Sequence, residues 1–221
     1  MKEAHDDSGP SQNHSPHPGS KPDVELSYRA SRILAIKELL TEKHVINSTE
    51  LETAINSLKS RKPTDGAKVI ARAWKDQSFK QRLIANPELA ISELGYALDK
   101  HTRLIVVENT VAIHNVIVCT LCSCYPISLL GPPPDWYKSF GYRSRVVKNP
   151  RSVIKEFGLI LNTKIEVRVH DSTADIRYLV LPMQPTGTSE FHEGELAELV
   201  TRDSMIGVSI PSLPKQHRSP D

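Results

Sequence analysis

The chain is short of thiols, of aromatic rings, of surplus charge and of long apolar runs, and each shortage closes off a class of protein. Its 221 residues carry 28 Lys and Arg against 26 Asp and Glu, a formal net charge of +2, with no basic stripe interleaved with aromatics. Such a balance leaves no electrostatic footprint for nucleic acid. Stretches such as "VAIHNVIV" and "YLVLP" have strand length and fall far short of a membrane span. The N-terminus lacks the positive-then-apolar order of a signal peptide, so the expectation is a cytoplasmic protein with neither membrane nor nucleic acid as partner. Three cysteines, an odd number in such a chain, argue against a disulfide framework. No internal repeat is visible, and the length suits one globular unit with appendages and a real core.

What is present divides by composition. Residues 1–25 are rich in His, Pro, Ser and Gly with almost nothing to bury and read as a disordered tail. There His5, His14 and His17 are loose metal ligands at most, against the plainer reading of a solvated tail. From Leu26, apolar residues at helical spacing and the cap signal Asn47-Ser48-Thr49 predict a helical hairpin arm over 26–62 that contacts a partner. "DGAKVIARAWKDQSFKQRLIANPELAISELGY" predicts two further helices, the first capped near Asp65 and a break at Asn86-Pro87. Four β-branched runs follow, "TRLIVVENT", "HNVIVC", "KIEVRVHD" and "IRYLVLP", with a Pro-rich turn and short basic helices between the second and third. "HEGELAELVTRDSMIGV" reads as one short helix leading into an extended piece. The expected fold is α+β: a layered α/β domain over 63–210 with a mixed sheet, then a flexible tail over 211–221.

All three thiols fall within "CTLCSC", Cys119 to Cys124. A tetrahedral zinc site draws four ligands from two separated pairs, and no second cysteine pair exists. His114 as a fourth ligand is disfavoured, because a strand points residues five apart to opposite faces. Cys122-Ser123-Cys124 offers something else. If its two internal amides lose their protons, one ion takes two sulfurs and the nitrogens of Ser123 and Cys124 in a square plane. Cys119 then supplies an axial sulfur and one octahedral position stays open, which is where Lewis-acid chemistry happens. Thiolates and deprotonated amides are strong-field donors that favour low-spin trivalent cobalt or iron.

The stretch "VIVCTLCSCYP", followed by "LGPPPDWYKSFGYRSRVVKNPR", "EVRVHDSTADIRYLVLPMQPTGT" and "ELVTRDSMIGV", closely resembles the metal-bearing α subunit of nitrile hydratases from about Asp65 to Val208. That resemblance implies a non-corrin Co(III) or non-haem Fe(III) centre, with Cys122 oxidised to a sulfinic acid and Cys124 to a sulfenic acid. Thr120 and Tyr125 resemble the cobalt version, since the iron version tends to carry Ser and Thr there. The implied activity is hydration of a nitrile to an amide. The metal polarises the nitrile, and the Cys124 sulfenate oxygen, or water activated by it, attacks the carbon, with Ser123 contributing its amide nitrogen. The resemblance also implies a β subunit whose arginines pair with the oxidised sulfurs, and an activator protein that delivers the metal.

Several positions depart from the family. Tyr125-Pro126-Ile127 stands where Tyr-Pro-Trp is usual, "ALDKHTR" replaces a Gly-Gln-Gly-like segment and adds Lys100, His101 and Arg103, and His170 replaces an aromatic. Thiocyanate hydrolases carry the same claw on their γ subunit, and added positive charge near 100–103 would suit a small anion. A non-enzymatic metal-carrying or redox-sensing module is a third reading. Among single residues, Ile127, Trp136 and Tyr137 are candidates to line the substrate pocket. Arg143 and Arg145 either brace the claw loop or make surface ion pairs, and Arg177 resembles a family arginine bracing the interface. Trp74 reads as core or subunit contact, and Asp171, Ser172 and Asp175 as a turn with a cap.

Overall fold

The computed structural model describes residues 28–99, 101–122 and 124–213. The residue 1–25 tail with its three histidines, Lys100, Ser123 and residues 214–221 lie outside the described residues. The chain divides into two units, Met1–Glu50 and Leu51–Asp221. Helix α1 (Tyr28–Glu42) belongs to the first, and α2 (Ser48–Ser60) crosses the boundary. The cap signal acts as expected: Asn47 Oδ1 accepts from the amides of Thr49 and Glu50 at 2.8 and 3.3 Å.

In the second unit, α3 (Pro63–Lys75) opens with Pro at its first position and with Asp65 folded back to accept from the Lys62 amide. The single long helix expected before Asn86 is two, α3 and α4 (Gln77–Ala85). Asp76 ends the first and caps the second by accepting from the Phe79 amide at 2.9 Å. Asn86-Pro87 then breaks the chain as the sequence suggests. Asn86 caps α5 (Pro87–Glu93) through the Leu89 amide, and Pro87 at the first helical position sacrifices no hydrogen bond.

The four expected strands are β1 (Arg103–Glu108), β2 (Ile113–Val118), β3 (Glu166–Asp171) and β4 (Ile176–Leu181). Their ladders form two parallel pairs, β1 with β4 and β2 with β3, where a single mixed sheet was expected. Two turns of the same design connect them. In each a threonine amide bonds to the carbonyl three residues on, and its hydroxyl accepts from two following amides: Thr110 before β2 and Thr173 before β4. Val118 lies opposite Asp171, and the Arg103 amide bonds to Asp175 O at 2.8 Å. The end of β2, the Thr173 turn and the start of β1 therefore share one end of the strand set.

Residues 114–118 of β2 are all buried, the apolar Val116, Ile117 and Val118 in the core and the polar His114 and Asn115 paired by hydrogen bonds. Val69, Ile70, Phe79, Leu83 and Ile91 from the helices pack with Val116, Ile117 and Leu179 from the strands. Trp74 is partly buried against this core and donates to Pro182 O at 2.8 Å.

Between β2 and β3 come α6 (Ile127–Leu130), α7 (Asp135–Lys138), α8 (Phe140–Val146) and α9 (Pro150–Glu156). The C-terminal stretch is two helices rather than one: α10 (Glu193–Leu199) and α11 (Arg202–Ile206), separated where Thr201 caps the second through the Ser204 amide.

Candidate metal centre

Where β2 ends, the chain turns so that three sulfurs converge. The Sγ atoms of Cys119, Cys122 and Cys124 all lie within 4.8 Å of one another. Cys122 Sγ is 3.3 Å from Cys119 Sγ and 3.1 Å from Cys124 Sγ, and the Cys122 amide donates to Cys119 Sγ at 3.3 Å. Burial is graded: Cys119 is buried, Cys124 half-buried and Cys122 exposed. The thiol of Cys124 is pushed up to about 12, first by burial and then by the Cys122 and Cys119 sulfurs, while the Arg177 charge acts the other way. Without a cation the Cys124 thiol keeps its proton, since burial and the neighbouring sulfurs both oppose ionisation.

The spacing tests which ion fits. Two sulfurs bonded at about 2.3 Å to one ion lie about 3.3 Å apart across a right angle and about 3.8 Å apart across a tetrahedral one. The observed 3.1 and 3.3 Å match the right angle, so the claw suits a square or octahedral transition-metal ion and is too tight for tetrahedral zinc.

Four side chains brace the loop. Asp171, at the end of β3, accepts from the Thr120 amide at 2.9 Å and from the Thr120 hydroxyl at 2.6 Å. Arg143 donates to Thr120 O at 3.2 Å. Tyr137 donates to Cys124 O at 2.8 Å, and Tyr142 to Ile117 O at 2.7 Å. Burial holds both phenols protonated far above their ordinary range, so each is a permanent donor. Pro132 to Pro134 stiffen the approach to α7, which carries Tyr137. Tyr125 OH, whose charged neighbours are Arg202 and Asp203 in α11, and Arg143 Nε are buried without a hydrogen-bond partner.

The structure sorts the other candidates. Tyr137 is fully buried, so it stands behind the claw rather than exposed to a pocket. Trp136 is partly buried and packs edge-on against Tyr137, Tyr142 and Phe157. Ile127 starts α6, half-buried against the core. Of the two arginines, Arg143 braces the loop and Arg145 makes a surface pair with Glu156 at 2.6 Å. Arg177 donates to the carbonyls of Thr173, Ala174 and Ile176, closing the turn at the claw end. His114 is buried and bonded to Asn109 and Gly207, away from the sulfurs. Asp171 is more than a turn residue, as its hold on Thr120 shows. That role depends on the Val118–Asp171 register, which no local signal in the sequence carries.

His101 and Arg103, read as added positive charge, line a cavity of about 640 Å³ together with Glu88, Asp99 and Asp175. Among the described lining residues the carboxylates outnumber the cations.

A family model for the nitrile hydratase alpha chain matches residues 27–209. This chain belongs to that family. It is 45% identical over 188 residues to the alpha subunit of the low-molecular weight cobalt-containing nitrile hydratase of Rhodococcus rhodochrous, covering 85% of this chain and 91% of that one. Identity to the thiocyanate hydrolase gamma subunit of Thiobacillus thioparus is 36% over 189 residues, covering 80% and 78%. Among solved structures, a double histidine-to-alanine mutant of the Fe-type nitrile hydratase of Comamonas testosteroni Ni1 superposes with a TM-score of 0.80 at 39% identity, covering 86% of this chain and 96% of that one. Nitrile hydratases are lyases that hydrate nitriles to amides, and their alpha subunits pair with beta subunits. In this nitrile hydratase alpha chain the cysteine cluster is of the cobalt type, although an iron-type relative shares its fold.

Proposed function

We propose that this chain is the metal-bearing subunit of a cobalt nitrile hydratase. In this reading Cys119, Cys122 and Cys124, with the amide nitrogens of Ser123 and Cys124, hold one Co(III) ion, Fe(III) being the alternative. The observation that carries the reading is the spacing of Cys122 Sγ from the other two sulfurs, 3.3 and 3.1 Å, each that of a right angle at one ion. Once bound, the ion supplies Lewis acidity toward a nitrile nitrogen.

The chain's own residues do the rest. Cys122 and Cys124 are reachable from solvent, where dioxygen or a peroxide is the oxidant that converts them by four and two electrons to sulfinic and sulfenic acids and is itself reduced to water, whereas burial protects Cys119. The Cys124 sulfenate oxygen, or water that it deprotonates, attacks the nitrile carbon, and net addition of one water gives the amide with no change of redox state. Tyr137 and Asp171 hold the loop so that this oxygen is aimed and not free to wander. Ile127 forms part of the pocket wall. The 26–62 segment, whose α1 buries none of its residues, is the arm that contacts that subunit. Residues 63–210 form the catalytic domain, a cytoplasmic setting suits a chain with no disulfide among its described residues, and an activator protein delivers the ion.

Thiocyanate hydrolysis shares the claw, but among the described residues the cavity holding His101 and Arg103 sets three carboxylates beside those two side chains, which lends no support to a site that attracts an anion. The test is co-expression with a β subunit, metal analysis, mass analysis of the Cys119–Cys124 peptide, and assays for amide and for carbonyl sulfide. Cobalt, three added oxygens and amide formation support the proposal. Carbonyl sulfide release transfers it to thiocyanate, and a metal-free chain with three plain thiols that cycle under mild reductant would leave a redox module.

A further inference from the structure

We infer that Asn109, His114 and Tyr142 are positioning residues for the claw: they stand in for the strand that one edge of β2 lacks and so fix the register at which Cys119 leaves the sheet. The inference rests on the metal reading above.

In a parallel ladder alternate residues aim their backbone groups at opposite edges. On the β3 side, Ala112 O accepts from the Glu166 amide and Val118 O from the Ser172 amide, both at 2.7 Å. On the other side, among the described residues, no strand is hydrogen-bonded to β2. Side chains take over there. Asn109 Oδ1 accepts from the Asn115 amide at 2.7 Å, and the Tyr142 hydroxyl donates to Ile117 O at 2.7 Å. Gly207, at φ 92°, closes the same edge: a Cβ there would come within 2.0 Å of Asn115 O, so only glycine lets the end of α11 approach. Gly207 O faces His114 Nε2 at 2.7 Å.

The hydrogens of this edge are forced. A carbonyl only accepts, so His114 carries its proton on Nε2, and its Nδ1 accepts from Asn109 Nδ2 at 3.3 Å. Asn109 Oδ1 receives both the amide and the Nδ2 of Asn115. Asn115 Nδ2 also donates to Glu108 O, which leaves its Oδ1 to accept from His170 Nε2 at 2.8 Å. His170, which stands where the family often has an aromatic ring, thereby ties β3 into the same pattern. One hydrogen arrangement spans the end of β1, β2, β3 and the end of α11.

Apolar side chains would fill this space without the cost of burying polar groups, and a fully paired network is what makes a single register the favoured one. A slip of one residue moves a strand by about 3.3 Å and turns every side chain to the other face. In β2 such a slip breaks the Val118–Asp171 register that sets Asp171 against Thr120, and so removes the brace between Cys119 and the rest of the claw.

The test uses the cobalt-loaded complex with its β subunit, comparing wild type with His114→Leu, His114→Gln and Tyr142→Phe. The readouts are cobalt per chain, the sulfur-to-cobalt charge-transfer absorption per bound cobalt, and the kcat and KM for amide formation. His114→Leu is expected to shift the charge-transfer band and lower kcat about tenfold or more with KM little changed, as sub-ångström misplacement of a reacting group does. His114→Gln, whose amide can donate to Gly207 O and accept from Asn109, is expected to recover most of the loss. Tyr142→Phe keeps the ring and so tests the same edge if the leucine variant does not fold; it is expected to shift the band in the same direction. Wild-type bands and kcat in His114→Leu and Tyr142→Phe overturn the inference. A wild-type complex that binds no cobalt sinks the metal reading instead.

Discussion

Replacing Tyr137 by Phe removes one oxygen and almost no volume, which isolates the hydroxyl that holds Cys124 O at 2.8 Å. The phenol is fully buried and protonated at any accessible pH, so the lost bond is a neutral one. Such a bond contributes about 1 kcal/mol, and an acceptor left half-buried without a partner adds up to about another. A total of about 1–2 kcal/mol corresponds to roughly a 5–30-fold larger population of loops in which Cys124 is not latched. If cobalt leaves through that unlatched loop, its transfer to a strong chelator should quicken by the same factor, while the melting temperature falls by only about 2–8 °C. The assay is chelator-driven loss of the charge-transfer band in matched preparations of Tyr137→Phe and wild type. Equal rates within twofold would refute the latch, whatever the melting temperature does.

Thr120→Val keeps the amide bond to Asp171 but deletes the 2.6 Å hydroxyl bond, and because Asp171 is exposed the expected loss is about 0.5–1.5 kcal/mol, read as faster cobalt release. Cobalt uptake by the metal-free complex should strengthen as pH rises, because the Cys124 thiol, raised to about 12, must give up its proton to bind; uptake indifferent to pH between 6 and 9 would contradict this. Burial holds His114 and His170 below the ordinary imidazole value of 6.5, so the unfolded chain binds more protons there. Their contribution is complete above that value and is lost as pH falls through it, so the melting temperature should drop on acidification below about 6.5 and drop less in His114→Gln. Gly207→Ala should cost more than about 2 kcal/mol, since it forces both a left-handed φ and a backbone clash; a soluble variant with wild-type melting would count against the close approach.

Local chemistry made part of this molecule legible in the sequence. Asn86-Pro87 ends one helix and starts another with atoms only three residues apart, and the caps at Asn47 and Asp65 are equally short-range. The claw was legible for the same reason, since its three sulfurs lie within six consecutive positions. Asp76 and Thr201 do not stand out as helix breaks in the sequence, because apolar spacing continues across both and suggests unbroken helix. The braces were less accessible. Tyr137 reads as a pocket residue until its hydroxyl is seen on Cys124 O, and Asp171 as a turn residue until strand register sets it beside Thr120. Pairing β1 with β4 and β2 with β3 is likewise a property of the folded chain, which alternation within each run cannot specify.

The long-range bracing also sets a timetable. Tyr137 follows Cys124 by 13 residues, Arg143 follows Thr120 by 23, and Asp171 follows it by 51. A ribosome adding about 5–20 residues per second leaves the three thiols waiting roughly 3–10 s for the last of these partners to be made. A metal ion offered in that interval meets a loop whose ends are not yet held. Faithful loading therefore belongs after synthesis, and a cell that makes this chain has reason to keep its cobalt in custody until the nascent protein is complete.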